Sequence, residues 1–286
     1  MTTESVRGSR ATVAPLARWL GRRRVLVAGI VLIGLVVLVT AAAPLFAPTS
    51  PTAPGPDRLA PPGAAHWMGT DQLRRDVLSR VIYGGRIPLE VAVTSTLLSL
   101  LVGASLGWTS GYAGGRLDRV LSLIMDAMYS FPALILAITI VAMLGPGVLN
   151  MVAAIAIVYI PTYFRVARGQ TLKVREEAYV EAAQALGARG VRMLRFHIAP
   201  NTLNALMAIV SFNIADAILT EAGLAFLGFG LPPPTPDWGF DIQNGQAFLQ
   251  SGYWWLITFP GIAIVVTSLG FNLLGEGIGE AVGPQS

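Results

Sequence analysis

Few side chains in this sequence could act on a substrate directly, and the context of each narrows its role. Gly103-Ala104-Ser105-Leu106-Gly107 spells G-x-S-x-G, the string that presents a nucleophilic serine on a strand-to-helix turn. Here it sits inside an apolar helical run. The two histidines, His66 and His197, fall outside the apolar runs, so neither supplies a base at membrane depth. Gly103, Gly107 and Gly111 recur every fourth residue, the spacing that lets a second helix approach closely. Helix packing is therefore the expected role, and an intramembrane hydrolase built on Ser105 is the weaker reading. The single lysine, Lys173, has no glycine before it and valine after it, so the chain lacks the phosphate-cradling G-x-x-x-x-G-K-[ST] loop. Cysteine is absent, which excludes disulfides, thiolate catalysis and cysteine zinc sites.

Acidic residues in or near apolar runs are the remaining chemistry. Glu90 and Asp126 lie near run ends and read as interfacial, while Asp118 and Arg119 read as a solvated turn. Asp216 and Glu221 fall deeper, where a carboxylate is expensive and usually meets a cavity, a partner or the bundle interior. Two readings stand for this pair: lining a transport pathway, or making buried helix–helix hydrogen bonds. A self-sufficient, ion-coupled transporter would rest on these two carboxylates. A proton relay would want more acidic or histidine partners than the sequence offers.

The elements that position these groups are mostly built for lipid. Of the 286 residues, 53% are hydrophobic and only 13% charged, against roughly 25% in soluble domains. The mean hydropathy is +0.61. Apolar runs over 25–43, 87–108, 120–144, 148–166, 204–229 and 254–275 suit a hydrocarbon core of ~30 Å. The first run is too long for a signal-peptide core, and Pro44 would be a poor cleavage position, so it is expected to be retained.

An all-α, six-span membrane protein follows. It comprises a tail over 1–24, a first span over 25–46, an external linker and amphipathic segment over 47–86, and a five-helix core over 87–286. Within the segment, 69–86 is expected to be a short helix with Val77, Val81 and Ile82 on one face and arginines opposite. Pro132, Pro161 and Pro260 should each kink a span. Trp254 and Trp255 suit an interfacial belt, and 231–246 suits a small proline-stiffened lid.

Arginine placement sets the orientation. The tail holds six arginines, the loop near 109–119 holds two, and 165–200 holds six plus Lys173. The loops 145–147 and 230–253 hold none. That asymmetry puts both termini and residues 165–200 in the cytoplasm, although the external segment 44–86 carries five arginines of its own.

One charged stretch, "EEAYVEAAQALGARGVRMLRFHIAP" (176–200), interrupts the apolar pattern. Glu177, Glu181, Gln184 and Ala188 share one helical face, and Ala178, Ala182, Ala185 and Leu186 the other. Gly187 fits the left-handed residue after a helix end. A second short helix over 189–198 would carry Val191, Leu194 and Ile198 on one side, and Pro200 suits the start of the next span. Either a surface hairpin or a docking element for a cytoplasmic partner fits this pattern. The shallow alanine–glycine surface flanked by charges favours docking.

Glu181-Ala182-Ala183, then Gly187, then Pro200 thirteen residues later, resembles the EAA loop of ABC-importer permeases, although His197 and Ala199 depart from its isoleucine and leucine. "HWMGTDQLRRDVLSRVIYGGR", "DAMYSFPALILAI", "AILTEAGLAFLGFGLPPPTPDWG" and "WWLITFPGIAIVVTSLGFNLLGEGI" are similar to the dipeptide/oligopeptide permease C-type subunit. The resemblance implies a type I importer-permease fold in the inner membrane of a prokaryote, with an EAA coupling loop at about 169–200. Glu181, Ala182, Ala183, Gly187 and Pro200 would form the ATPase-coupling site. It further implies a second homologous permease subunit, two ATPase subunits or domains that bind ATP and Mg²⁺, and an extracytoplasmic peptide-binding protein. No cofactor, metal or nucleic acid is expected on this chain itself, and nickel or glutathione are alternative substrates.

Overall fold

A computed structural model describes the backbone of residues 13–282 and the side chains of 24–280. The first twelve residues of the tail, with Arg7 and Arg10, lie outside the described residues. Helix α1 (Val13–Ala41) already includes the second half of the expected tail, so residues 13–24 and the first span are one continuous element. After a short α2 (Ala43–Phe46) and a proline-rich linker come α3 (Val77–Gly84) and α4 (Arg86–Ala113). They are followed by α5 (Gly115–Tyr129), α6 (Ala133–Leu144) and α7 (Val148–Val174). The chain then runs through α8 (Ala178–Ala185), α9 (Val191–Met193), α10 (Ala199–Leu224), α11 (Trp238–Gln246) and α12 (Trp255–Val282).

Among the described residues, five segments are long and apolar enough to span a membrane. The expected third span, 120–144, is instead two helices: α5 and α6 meet at a 92° bend across residues 130–132. Pro132 explains the difference. It has no N–H to donate and disfavours the helical conformation in the residue before it, so the helix stops instead of kinking. Pro161 and Pro260, by contrast, lie inside uninterrupted α7 and α12.

Helices α4 and α7 form the most extensive helix pair of the bundle, and small residues allow it. A Cβ on Gly103 would lie 2.5 Å from the Ile160 carbonyl oxygen, and one on Gly107 would lie 2.5 Å from that of Phe164. Across this seam the Ser99 hydroxyl donates to the Ala156 carbonyl at 2.9 Å. Ser105 is exposed and donates to its own helix at Leu101. The glycine period therefore serves packing, as its spacing predicts.

The segment before α4 differs from the amphipathic helix expected over 69–86. Only residues 77–84 are helical, and Arg75 and Arg80 are buried where the pattern put them in solvent. Arg75 Nε donates to Asp71 at 2.6 Å. Arg80 forms an ion pair with Asp241 of α11 and also donates to the Pro51 carbonyl at 3.2 Å. Burial pushes the Asp241 carboxyl up to about 6 against the opposing pull of Arg80. The proline-rich 231–246 region, expected to form a small proline-stiffened lid, is tied to the same segment. Buried Trp238 donates to the Val81 carbonyl at 2.8 Å, and Asp237 caps α11 at the Phe240 N–H. Trp255 is buried and donates to the Thr70 carbonyl at 3.2 Å, so of these two tryptophans Trp254 alone is exposed for an interfacial role.

Arg80→Ala is expected to destabilise the folded chain by about 3–5 kcal/mol, because it strands a buried carboxylate. Thermal unfolding in detergent reads this directly. An Arg80→Met/Asp241→Leu double variant should recover part of the loss, since it removes both charges.

Candidate functional site

The connection from α7 to α10 is built as an anchored hairpin. Helix α8 ends at Leu186 in a glycine-terminated cap: the Ala188 N–H donates to the Ala183 carbonyl at 3.0 Å and the Gly187 N–H to that of Gln184 at 2.9 Å. These bonds satisfy two of the carbonyls that a helix end leaves open. Gly187 has φ +92° with open space around it, so its requirement is conformational.

A third face of α8, which neither sequence-derived face contained, holds the hairpin to the bundle. Val180, Met193 and Ile198 bury one another against Trp108, Tyr112 and Val174. The Tyr112 hydroxyl accepts from the Gly190 N–H at 3.2 Å, and Arg175 donates to the Gly111 carbonyl at 3.2 Å. Farther along, Trp108 Nε1 donates to Thr202 of α10 at 2.7 Å.

Residues 194–198 form a π-helical turn that joins α9 to α10. The extra residue in such a turn rotates the side chains that follow it. Ile198 becomes fully buried, and half-buried His197 offers its carbonyl to the Asn201 amide at 2.7 Å. The turn accommodates the departures at 197 and 199: Ile198 fills the inward apolar position, and Ala199 begins α10 with Pro200 beside it.

All but one of the expected coupling-site residues are exposed. Glu181, Ala182 and Gly187 are exposed on the hairpin, while Ala183 is half-buried against the anchoring cluster. Ala183 thus belongs to the anchor. Pro200 is exposed at the first turn of α10. Apolar side chains absent from the expected set stand beside them: Leu186 is 90% exposed, Val191 77% and Phe196 62%. Val191 was expected to share a face with Ile198, but only Ile198 turns inward. The available sequence signal for this rim was large apolar residues, Leu186, Val191 and Phe196, scattered through an otherwise charged loop.

Asp216 and Glu221, in contrast, are separated from the hairpin and from each other. Asp216 is exposed toward a cavity of about 370 Å³ beside the α5–α6 bend, and its Oδ2 accepts from the Tyr159 hydroxyl at 2.6 Å. Glu221 is fully buried at the far end of α10, facing Asp237. Burial raises the Asp237 carboxyl. Among the described residues no side chain donates to either Glu221 oxygen, so the arrangement is one of two buried acids facing each other across the α10–α11 contact. Asp118 is no solvated turn either. It opens α5 and accepts from Arg168 Nη2 at 2.7 Å and Ser110 at 2.6 Å, tying α5 to α7 and α4.

Residues 103–285 match the model of the family described as "Binding-protein-dependent transport system inner membrane component". The chain belongs to this family. Among this permease's relatives is a dipeptide transport system permease protein DppC of Alkalihalophilus pseudofirmus, 38% identical over 93% of this chain and 88% of that protein. A probable D,D-dipeptide transport system permease protein DdpC of Escherichia coli is 42% identical over 80% of this chain and 76% of its own length. A glutathione transport system permease protein GsiD of Pectobacterium atrosepticum is 39% identical over 78% and 74%. The permease also shares its fold with a chain of the inward-facing MetNI methionine ABC transporter. The TM-score is 0.58 at 18% identity, over 73% of this chain and 98% of that one.

Proposed function

We propose that this chain is one of two homologous permease subunits in an ATP-driven importer that carries dipeptides or oligopeptides across the cytoplasmic membrane of a prokaryote. The observation that carries the reading is the hairpin: anchored inside by Val180, Met193 and Ile198, it presents an outward rim of Glu181, Ala182, Leu186 and Val191. An exposed apolar rim on a fixed base is a docking surface, and a rigid base transmits displacement to the spans. In this reading ATP and Mg²⁺ belong to two separate ATPase subunits, one seated on this hairpin and the other on the corresponding hairpin of the second permease. Arginine placement supports a cytoplasmic hairpin and cytoplasmic termini. An extracytoplasmic binding protein would deliver substrate at the opposite end, near the linker and α11. The names of the 38–42% identical relatives support peptide as the cargo. Glutathione, itself a small peptide, is the second reading and rests on the third relative.

A tagged copy purified in mild detergent is expected to bring down a P-loop ATPase and a second permease. The reconstituted complex should then take up dipeptide in an ATP-dependent manner. Ion-gradient-driven peptide uptake by this chain alone in liposomes would instead establish a secondary transporter.

A further inference from the structure

The geometry points to a cation-binding subsite within the spans: the Asp216 carboxylate, held by Tyr159, receives the free ammonium end of the passing peptide. This rests on the peptide-permease reading and sharpens it to a recognised group. A carboxylate on a spanning helix persists where a cavity or a countercharge meets it. Asp216 meets a cavity, and no cationic side chain among the described residues pairs with it. Asp118, Asp126 and Asp241 each have an arginine partner.

The carboxylate is also fixed in place. The Tyr159 hydroxyl donates to its Oδ2 at 2.6 Å and lies 3.0 Å from Thr220 Oγ1, and the Tyr159 ring is buried in the core between α7 and α10. One donated bond leaves most of the acceptor positions of a carboxylate open. They face a space of about 370 Å³, within the range of small-ligand sites.

The walls of that space divide by chemistry. Tyr159, Thr162, Asn213 and Asp216 form the polar side, and Phe131 and Leu136, flanking the α5–α6 bend, form the apolar side. At its rim the Arg165 guanidinium lies 3.9 Å above the Tyr129 ring and pairs with Asp126 at 2.8 Å. Its charge is thereby matched, and the cavity keeps the negative charge of Asp216. Such a space favours a ligand with an ammonium group on one side and an apolar side chain on the other, and it disfavours anions.

The test uses the complete importer in liposomes, with dipeptide uptake and ATP hydrolysis measured on the same sample. Asp216→Asn is expected to lower dipeptide moved per ATP hydrolysed by about tenfold, the equivalent of one charge-assisted hydrogen bond. Subunit co-purification and ATP hydrolysis stimulated by the binding protein should stay near wild type. Asp216→Glu should restore much of the ratio, and Tyr159→Phe should lower it less than Asp216→Asn. A wild-type ratio in Asp216→Asn overturns the subsite. Joint loss of co-purification and ATP hydrolysis also overturns it, because the carboxylate would then be a contact to a partner subunit. A wild-type complex that moves no dipeptide would instead remove the peptide reading, and the subsite with it.

Discussion

Gly187→Arg is expected to reduce uptake to below about one hundredth of wild type while the protein still inserts and the bundle stays folded. Two effects act together. Gly187 sits at φ +92°, where a side chain costs about 1–2 kcal/mol of backbone strain. That strain opens the cap that ends α8 and turns the rim residues Glu181 and Leu186 out of register with Val191. The added guanidinium also projects from a position with nothing within 4 Å, into the space a docked partner would occupy. A desolvated, unpaired charge there opposes docking by several kcal/mol. The bundle is spared because the anchor residues Val180, Met193 and Ile198 lie on another face.

Gly187→Asn makes the control, since asparagine tolerates left-handed geometry and adds no charge. It should retain roughly half of wild-type uptake or more. Ala182→Trp, which places bulk on the exposed face without touching the cap, should match Gly187→Arg. Uptake, membrane-fraction yield and ATPase co-purification together read the outcome. A well-expressed Gly187→Arg protein with normal uptake would refute the coupling role of the hairpin.

The largest expected effect on folding is at the α4–α7 seam. Gly107→Leu should leave no monodisperse protein by size exclusion. Its Cβ would lie 2.5 Å from the Phe164 carbonyl oxygen and 2.8 Å from the Ala167 Cβ. Backbone atoms of a continuous helix cannot step aside, so the two helices must separate along their length. Separation would forfeit the close packing on which association in lipid depends, together with the Ser99–Ala156 bond. Gly107→Ala sets the same Cβ against the Phe164 carbonyl and should also lower the unfolding temperature clearly, though by less than leucine, whose further carbons force the helices wider apart. Ser105→Ala, on the exposed side of the same helix, should stay within about 0.5 kcal/mol of wild type with normal uptake. Loss of activity there would reopen a chemical role for the serine.

Much of this protein was legible in its sequence because lipid imposes strong, local rules. A run of about 20 apolar residues reads as a span, and five of the six expected runs became one, while 120–144 broke at Pro132. The glycine period of α4 announced close packing, and Gly187 announced a left-handed helix end, because both depend on sterics within a turn or two of chain. Tertiary structure alone decided which faces meet something. Periodicity places Glu181, Ala182 and Val180 around one helix, but only the ring and side chains of Trp108, Tyr112 and Met193 make the Val180 face the buried one. Arg80 read as a solvent arginine until Asp241, 161 residues away, supplied its countercharge. Asp216 and Glu221 looked equivalent by position. The bend after Tyr129 opens a cavity beside the first, and the N-terminus of α11 brings Asp237 to the second. Burial and charge pairing depend on neighbours distant in the chain, and those become neighbours only when the helices assemble.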